Sequence, residues 1–340
     1  MTQPSTNPGE ESVNRRKFLK FTTLAIGTHF SLESSVFAQT AYPNRPVRII
    51  APVQPGGGVD LVARTIAEQL SKVLGQAFVV ENLAGGGGIV GSMAAKKSPA
   101  DGYHLFLSYV GTHGTNPAVR KLPYDAIDDF SHIAMIAGTP NVLVLSSHVG
   151  ASDLGRFIEL AKKNGATWSY GSSGNGTLTH LAMEQLKLAA GFNMTHVPYR
   201  GIGPALTDTI GNQVQCLMPG LAAALPHIRS GRIKAIAVTG KQRHPTLASI
   251  PTLEELGYPG FDGVQWYGLS GPARMSPELI NRLSAEINKA IALEEVKRKF
   301  LVEALEPMPM SPSEYTRFIK TDILRWQRVA RERNIQLDET

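Results

Sequence analysis

Cysteine is almost absent: Cys216 is the one thiol in 340 residues. A lone thiol excludes an internal disulfide and a thiolate metal cluster. Its apolar, strand-like setting in "QVQCLMPG" reads as a buried structural thiol rather than a nucleophile. Charge is thin too, at 18% of residues, with 34 basic and 28 acidic side chains and no long run of either sign. Nucleic-acid binding needs a basic stripe with interleaved aromatics, and the sequence has none. The nine histidines show no H-E-x-x-H spacing and no Cys/His cluster, so no metal site is expected. His104, His113, His132 and His148 stand singly in strand or loop contexts.

Long apolar runs are missing as well. The N-terminal "NRRKFLKFTTLAIGTHFSLESSVFAQ" pairs Arg15 with Arg16, then carries about ten moderately apolar residues, short of the roughly 20 that span a bilayer. With small residues at Val36 and Ala38, it resembles a bacterial twin-arginine export signal over residues 1–38, cleaved after Ala38. A periplasmic protein is the expectation. Setting aside four basic side chains (Arg15, Arg16, Lys17, Lys20) and three acidic ones (Glu10, Glu11, Glu33) leaves an excess of five positive charges. That mild excess favours anionic small molecules entering a cleft. Without disulfides, an ordinary core must hold the exported chain, and 42% hydrophobic residues suffice for one.

Glycine, by contrast, is plentiful, and it sits at junctions. "IIAPVQPGGGVDLVARTIAEQL" (49–70) runs an apolar strand into three glycines and then a helix with Val62, Ile66, Leu70 and Val73 on one face. Helix starts of this kind expose backbone N–H groups that attract anions. The unit recurs in "ATWSYGSSGNGTLTHLAMEQLKLAAG" (166–191) and in "MTHVPYRGIGPALTDTIGNQVQCLMPG". Alternating strands and helices predict an α/β fold with largely parallel, buried strands, the loops lying at strand carboxyl ends where ligands bind. Two such halves face to face would make a cleft with amides on both walls. The C-terminal part is helical. Ser276-Pro277-Glu278 opens one helix, and the capping box Ser311–Glu314 opens another to about Arg333. Tyr315, Phe318, Ile319, Ile323, Trp326 and Val329 form its expected buried stripe.

Two catalytic readings are weaker than they look. Gly86-Gly87-Gly88-Ile89-Val90-Gly91 matches G-x-G-x-x-G, but after the second strand and with no carboxylate ending the next strand to hold a ribose. No cofactor is expected. Ser172 and Ser173, with His180 in the following helix, would suit an exported hydrolase, yet Gly171–Asn175 lacks the second glycine of a nucleophile elbow. Serine and threonine before a helix more commonly cap it.

Taken together, "PGGGVDLVARTIAEQLSKVLGQAFVVENLAGGGGIVGSMAAKKSPADGYHLFLS", "GTHGTNPA", "YGSSGNGTLTHLAMEQLK", "HVPYRGIGPALTDTIGNQVQ", "ALPHIRSGRIKAIAVTG" and "SIPTLEELGYPGF" resemble, in order, the signatures of the Bug receptors. These are extracytoplasmic solute-binding proteins of tripartite tricarboxylate transporters, and the resemblance covers residues 43–335. It implies a two-lobed type II periplasmic binding protein (Venus flytrap) with a C-terminal helical segment. Lobe one would hold 43–140 plus 268–340 and lobe two 141–267, with crossings near Pro140–Asn141 and Gln265–Gly268. It implies a small organic carboxylate bound in the cleft and not transformed, with membrane transporter subunits as partner; a monomer is expected, and a sensor receptor handing ligand status to a signalling partner is the alternative. Carried over residue by residue, Val53, Gln54, Gly56, Gly57, Ser108 and Thr112 come from lobe one. Ser172, Gly174, Gly176, Thr177, His180, Tyr199 and Arg200 come from lobe two. Where the family often has an aspartate followed by an asparagine, this chain has Pro219 and Gly220, which argues against an amino-acid ligand and for a plainer mono- or dicarboxylate.

Overall fold

The computed structural model describes residues 42–261 and 263–336. The export signal and its cleavage after Ala38 lie outside the described residues. In chain order the elements are β1 (Val47–Ala51), α1 (Gly58–Leu74), β2 (Phe78–Asn82), α2 (Ile89–Lys96), β3 (His104–Tyr109), α3 (Asn116–Val119) and β4 (Phe130–Pro140). Then come β5 (Val142–Ser146), α4 (Leu154–Asn164), β6 (Ser169–Ser172), α5 (Leu178–Ala190), β7 (Thr195–Pro198), α6 (Ile202–Ile210), β8 (Cys216–Leu217), α7 (Leu221–Arg229) and β9 (Ile233–Val238). The chain finishes with β10 (Val264–Pro272), α8 (Pro277–Ala292), α9 (Glu294–Val302), β11 (Glu306–Pro307) and α10 (Pro312–Glu332).

Two mixed sheets result, ordered β11-β4-β10-β3-β1-β2 and β7-β6-β8-β5-β9. The expectation of largely parallel strands needs correction. β1 pairs in parallel with β2 and β3, but β10 runs antiparallel between β3 and β4, and β5 antiparallel to both β8 and β9. The reason is topological. β4 and β5 are separated by Asn141 alone, so the chain steps directly from one sheet into the other. It comes back through β10, which lies along β4 with Val264 opposite Pro140. Outgoing and returning strands that share one crossing must run in opposite directions. β10 thus joins the first sheet from Val264, just ahead of the Gln265–Gly268 stretch expected for the return.

The crossing is pinned by hydrogen bonds. The Asn141 amide donates to Thr239 Oγ1 at 2.8 Å, and its side chain donates to the Met218 carbonyl at 2.8 Å. α10 braces both sheets. Its Ser311–Glu314 capping box is formed, and Tyr315, Ile319, Trp326 and Val329 are buried as the stripe requires, with Phe318 and Ile323 packed beside them. Tyr315 Oη lies 2.7 Å from Ser108 Oγ in the first sheet, while Arg333, past the helix end, donates to Glu184 of α5 at 2.5 Å. Cys216 is buried in β8, and burial pushes its thiol up, away from the reactive thiolate.

Candidate functional site

The Pro55–Gly58 junction delivers the expected helix start. Gly56 has φ +93°, a left-handed conformation that favours glycine, and Gly57 caps α1 with no side-chain hydrogen bond. The Gly56 amide is already engaged, donating to Asp60 Oδ2 at 3.1 Å. Burial alone would raise the Asp60 carboxyl; hydrogen bonds from Arg64, Asn82 and the Gly56 amide outweigh it and hold the group below its usual range. The first-turn amides of α1 have no intrahelical acceptor. Gly58 is required by close approach, because a Cβ there would come 2.6 Å from Tyr267 Oη.

Two further helices begin at the same place. α6 starts behind Gly201 and α7 behind Gly220, again without a side-chain cap. The starts of α1, α6 and α7 border one cavity of about 430 Å³ between the sheets, lined by Gly56, Gly57, Gly58, Leu61, Ile202, Gly220, Ala222 and Ala223. Thr139, at the end of β4, and Gln265 and Tyr267 of β10 form its back wall, with Ser173 and Thr179 at the side. Thr139 is 1% exposed, yet its Oγ1 has no hydrogen-bond partner among the described residues. A buried hydroxyl left without a partner in the wall of a cavity is a place where a ligand or water would complete the bonding. Uncapped helix starts with converging hydroxyls form an environment that holds an anion.

The second glycine-rich loop behaves differently from the first. The Ser173 amide donates to Thr179 Oγ1 (2.8 Å), Gly174 to Ser172 Oγ (3.1 Å), Gly176 to His180 Nδ1 (3.1 Å) and Thr177 to the Gly174 carbonyl (3.3 Å). These four donors are satisfied within the loop and the start of α5, so Gly174, Gly176 and Thr177 present no free amide. Beneath it the rings of His180 and His196 stack with centroids 3.8 Å apart and planes 6° off parallel. Burial pushes both imidazoles down to about 4, the neighbouring His180 ring adding to the effect on His196. Ser172 Oγ lies 2.6 Å from His196 Nε2, but Ser172 is fully buried. That pair therefore reads as an internal hydrogen bond, and His180, the histidine weighed as a base, is bonded to the loop backbone.

The remaining sequence-derived candidates are scattered. Gly56 and Gly57 line the cavity. Val53 lies just behind them, its carbonyl accepting from Asn82 at 3.2 Å, and Gln54 is exposed. Ser108 is fully buried between Ser270, the Gly268 carbonyl and Tyr315. Thr112 is buried too, bonded within its own turn to Tyr109 and to His113. Tyr199 donates to Asp208 at 2.7 Å, and Arg200 is exposed. Thr139, Gln265 and Tyr267 also line the cavity, and nothing local in the sequence marks a strand end as a cavity wall. Among the described residues no group of three or more His, Cys, Asp or Glu is placed to hold a metal, and no helix is long and apolar enough to cross a membrane.

Comparison with known proteins decides the family. The sequence signature of the tripartite tricarboxylate transporter family receptor matches residues 62–335. The chain belongs to this receptor family. It is 33% identical to protein BugT of Bordetella pertussis over 96% of this chain and 100% of that one. Among solved structures, R. palustris Rpa4515 with adipate is 31% identical with a TM-score of 0.79, covering 88% of this chain and 100% of that one. MatC from Rhodopseudomonas palustris with bound malate is 28% identical with a TM-score of 0.74, covering 85% and 99%. The receptor is thus an α/β, two-lobed solute-binding protein of the Bug type and not an enzyme. The hydrolase reading falls with that.

Proposed function

We propose that this receptor works in the periplasm, captures a small organic carboxylate in the cavity between its two sheets, and presents it to the membrane subunits of a tripartite transporter. The observation that carries the reading is the convergence of three helix starts without side-chain caps on one cavity that is also lined by Thr139, whose buried hydroxyl has no partner among the described residues. The adipate and malate bound by two relatives support the choice of a carboxylate over other anions. The hinge would lie where the chain passes between sheets, at Pro140–Val142 and between Val238 and Val264.

The energetics suit reversible capture. Hydrogen bonds to a charged group contribute roughly 1.5–3 kcal/mol each, against several kcal/mol of desolvation. Three or four of them together with hinge closure would leave a net of about −8 kcal/mol, in the micromolar range. The test is a thermal-shift screen of the mature protein against organic acids, since a ligand that binds only the native state raises Tm by mass action. Stabilisation by one group of small carboxylates supports the reading. A flat response to organic acids alongside stabilisation by sugars or cations would defeat it.

A further inference from the structure

The cavity carries one formal charge, and it has the sign opposite to what a second carboxylate would need. Of its lining residues, Glu303 alone has an acidic or basic side chain; the rest are glycine, apolar, hydroxyl or amide side chains. Among the described residues no hydrogen bond or ion pair neutralises Glu303, whose neighbours Ala304 and Leu305 are both buried. Its backbone is held from two sides. Ala304, at φ +51°, packs in the cluster of Leu217, Leu221 and Ala224 beneath the second sheet, while Leu305 packs in the core of the first. The Glu303 and Leu305 amides both donate to the Phe300 carbonyl, at 3.0 and 2.9 Å. The backbone of the turn is thus fixed at the cavity mouth, where the exposed Glu303 side chain is part of the lining.

We infer that the site selects acids with a single carboxylate, and that Glu303 is the specificity-determining residue that rejects dicarboxylates. This rests on the carboxylate-receptor reading above. The first carboxylate goes to the helix starts. The body of the ligand then meets Leu61, Ile202, Ala222, Ala223 and Leu305, an apolar surface. In a space of about 430 Å³ the far end of a filling ligand comes close to Glu303. A second carboxylate there faces a like charge with no lining cation to offset it, whereas an ammonium meets an opposite charge. An apolar end meets neither effect.

The experiment is calorimetric titration of wild type and Glu303→Gln with length-matched trios from four to eight carbons: monoacid, α,ω-diacid and ω-amino acid, such as hexanoate, adipate and 6-aminohexanoate. Wild type should bind the monoacid about tenfold more tightly than the diacid at the preferred length. Glu303→Gln should improve the diacid and weaken the ω-amino acid, each by about threefold to tenfold, with the monoacid between them. Opposite signs from one substitution separate charge selection from general damage to the site. A diacid bound as tightly as its monoacid by wild type, or a ranking unchanged in Glu303→Gln, overturns the inference while leaving the receptor reading intact. Binding of none of the acids at any length overturns the receptor reading, and this inference with it.

Discussion

Asp60 Oδ2 accepts the Gly56 amide at 3.1 Å and Arg64 Nε at 3.0 Å, so one buried carboxylate sets the shape of the loop that opens α1. Its other oxygen accepts from Asn82 at 2.9 Å. Asp60→Ala removes this knot and should lower stability by about 1.5–3 kcal/mol, measured by urea denaturation at neutral pH. The pH dependence has a definite sign. Because the folded pKa lies below the unfolded value of about 3.9, the contribution is complete above that value and lost as pH falls through the folded pKa. Asp60→Asn should therefore flatten the stability curve at its acid end. An unaltered curve there would show that the carboxylate does not organise the loop.

Thr139 offers a sharper separation of binding from folding. Its hydroxyl is enclosed without a partner in the apo protein, and Thr139→Val keeps the shape while deleting it. The apo variant should be as stable as wild type, or more stable by up to about 1 kcal/mol, because no bond is lost and a buried polar group is removed. Carboxylate affinity should drop about tenfold. A fall in apo stability together with unchanged affinity would mean that the hydroxyl serves the fold and not the ligand.

The stacked histidines predict an acid limb of their own. With folded pKa values of about 4 against about 6.5 unfolded, the unfolded chain binds protons between those values that the folded chain does not. Stability therefore falls as pH drops from about 6.5 towards about 4. His113 and His132, also held down by burial, add to the same limb. Replacing His180 by Asn and His196 by Gln should remove part of the slope, read from denaturation at pH 7, 5.5 and 4.5. A slope identical to wild type would place the protonation elsewhere.

How much of this could be read from the chain differs by feature, for physical reasons. The α1 start was legible because a glycine run beside an amphipathic stripe is a local signal, and Gly56 and Gly57 indeed line the cavity. α10 was legible from its capping box and apolar spacing. The second loop looked like the first, yet Thr179 and His180 reach back from the next helix to bind its amides, an outcome set by side-chain geometry that composition does not encode. Thr139 and Gln265 are 126 residues apart and meet only because β10 returns along β4, so no window of sequence contains that wall. The same return strand explains why the sheets are mixed.

If backbone amides at helix starts hold the carboxylate with no cationic side chain required, titration of one stabilising acid into wild type, Gly57→Val and Arg200→Ala will separate the variants. Gly57 has φ −94° and open space where a Cβ would go, so valine there should fold normally while filling the mouth of the cradle. Arg200 is exposed and does not line the cavity. Gly57→Val should keep its ligand-free Tm and lose at least about 100-fold in affinity, whereas Arg200→Ala should bind within about threefold of wild type. The contrary result is a loss of about 30- to 1000-fold in Arg200→Ala, the roughly 2–4 kcal/mol of a paired guanidinium, with Gly57→Val nearly unaffected.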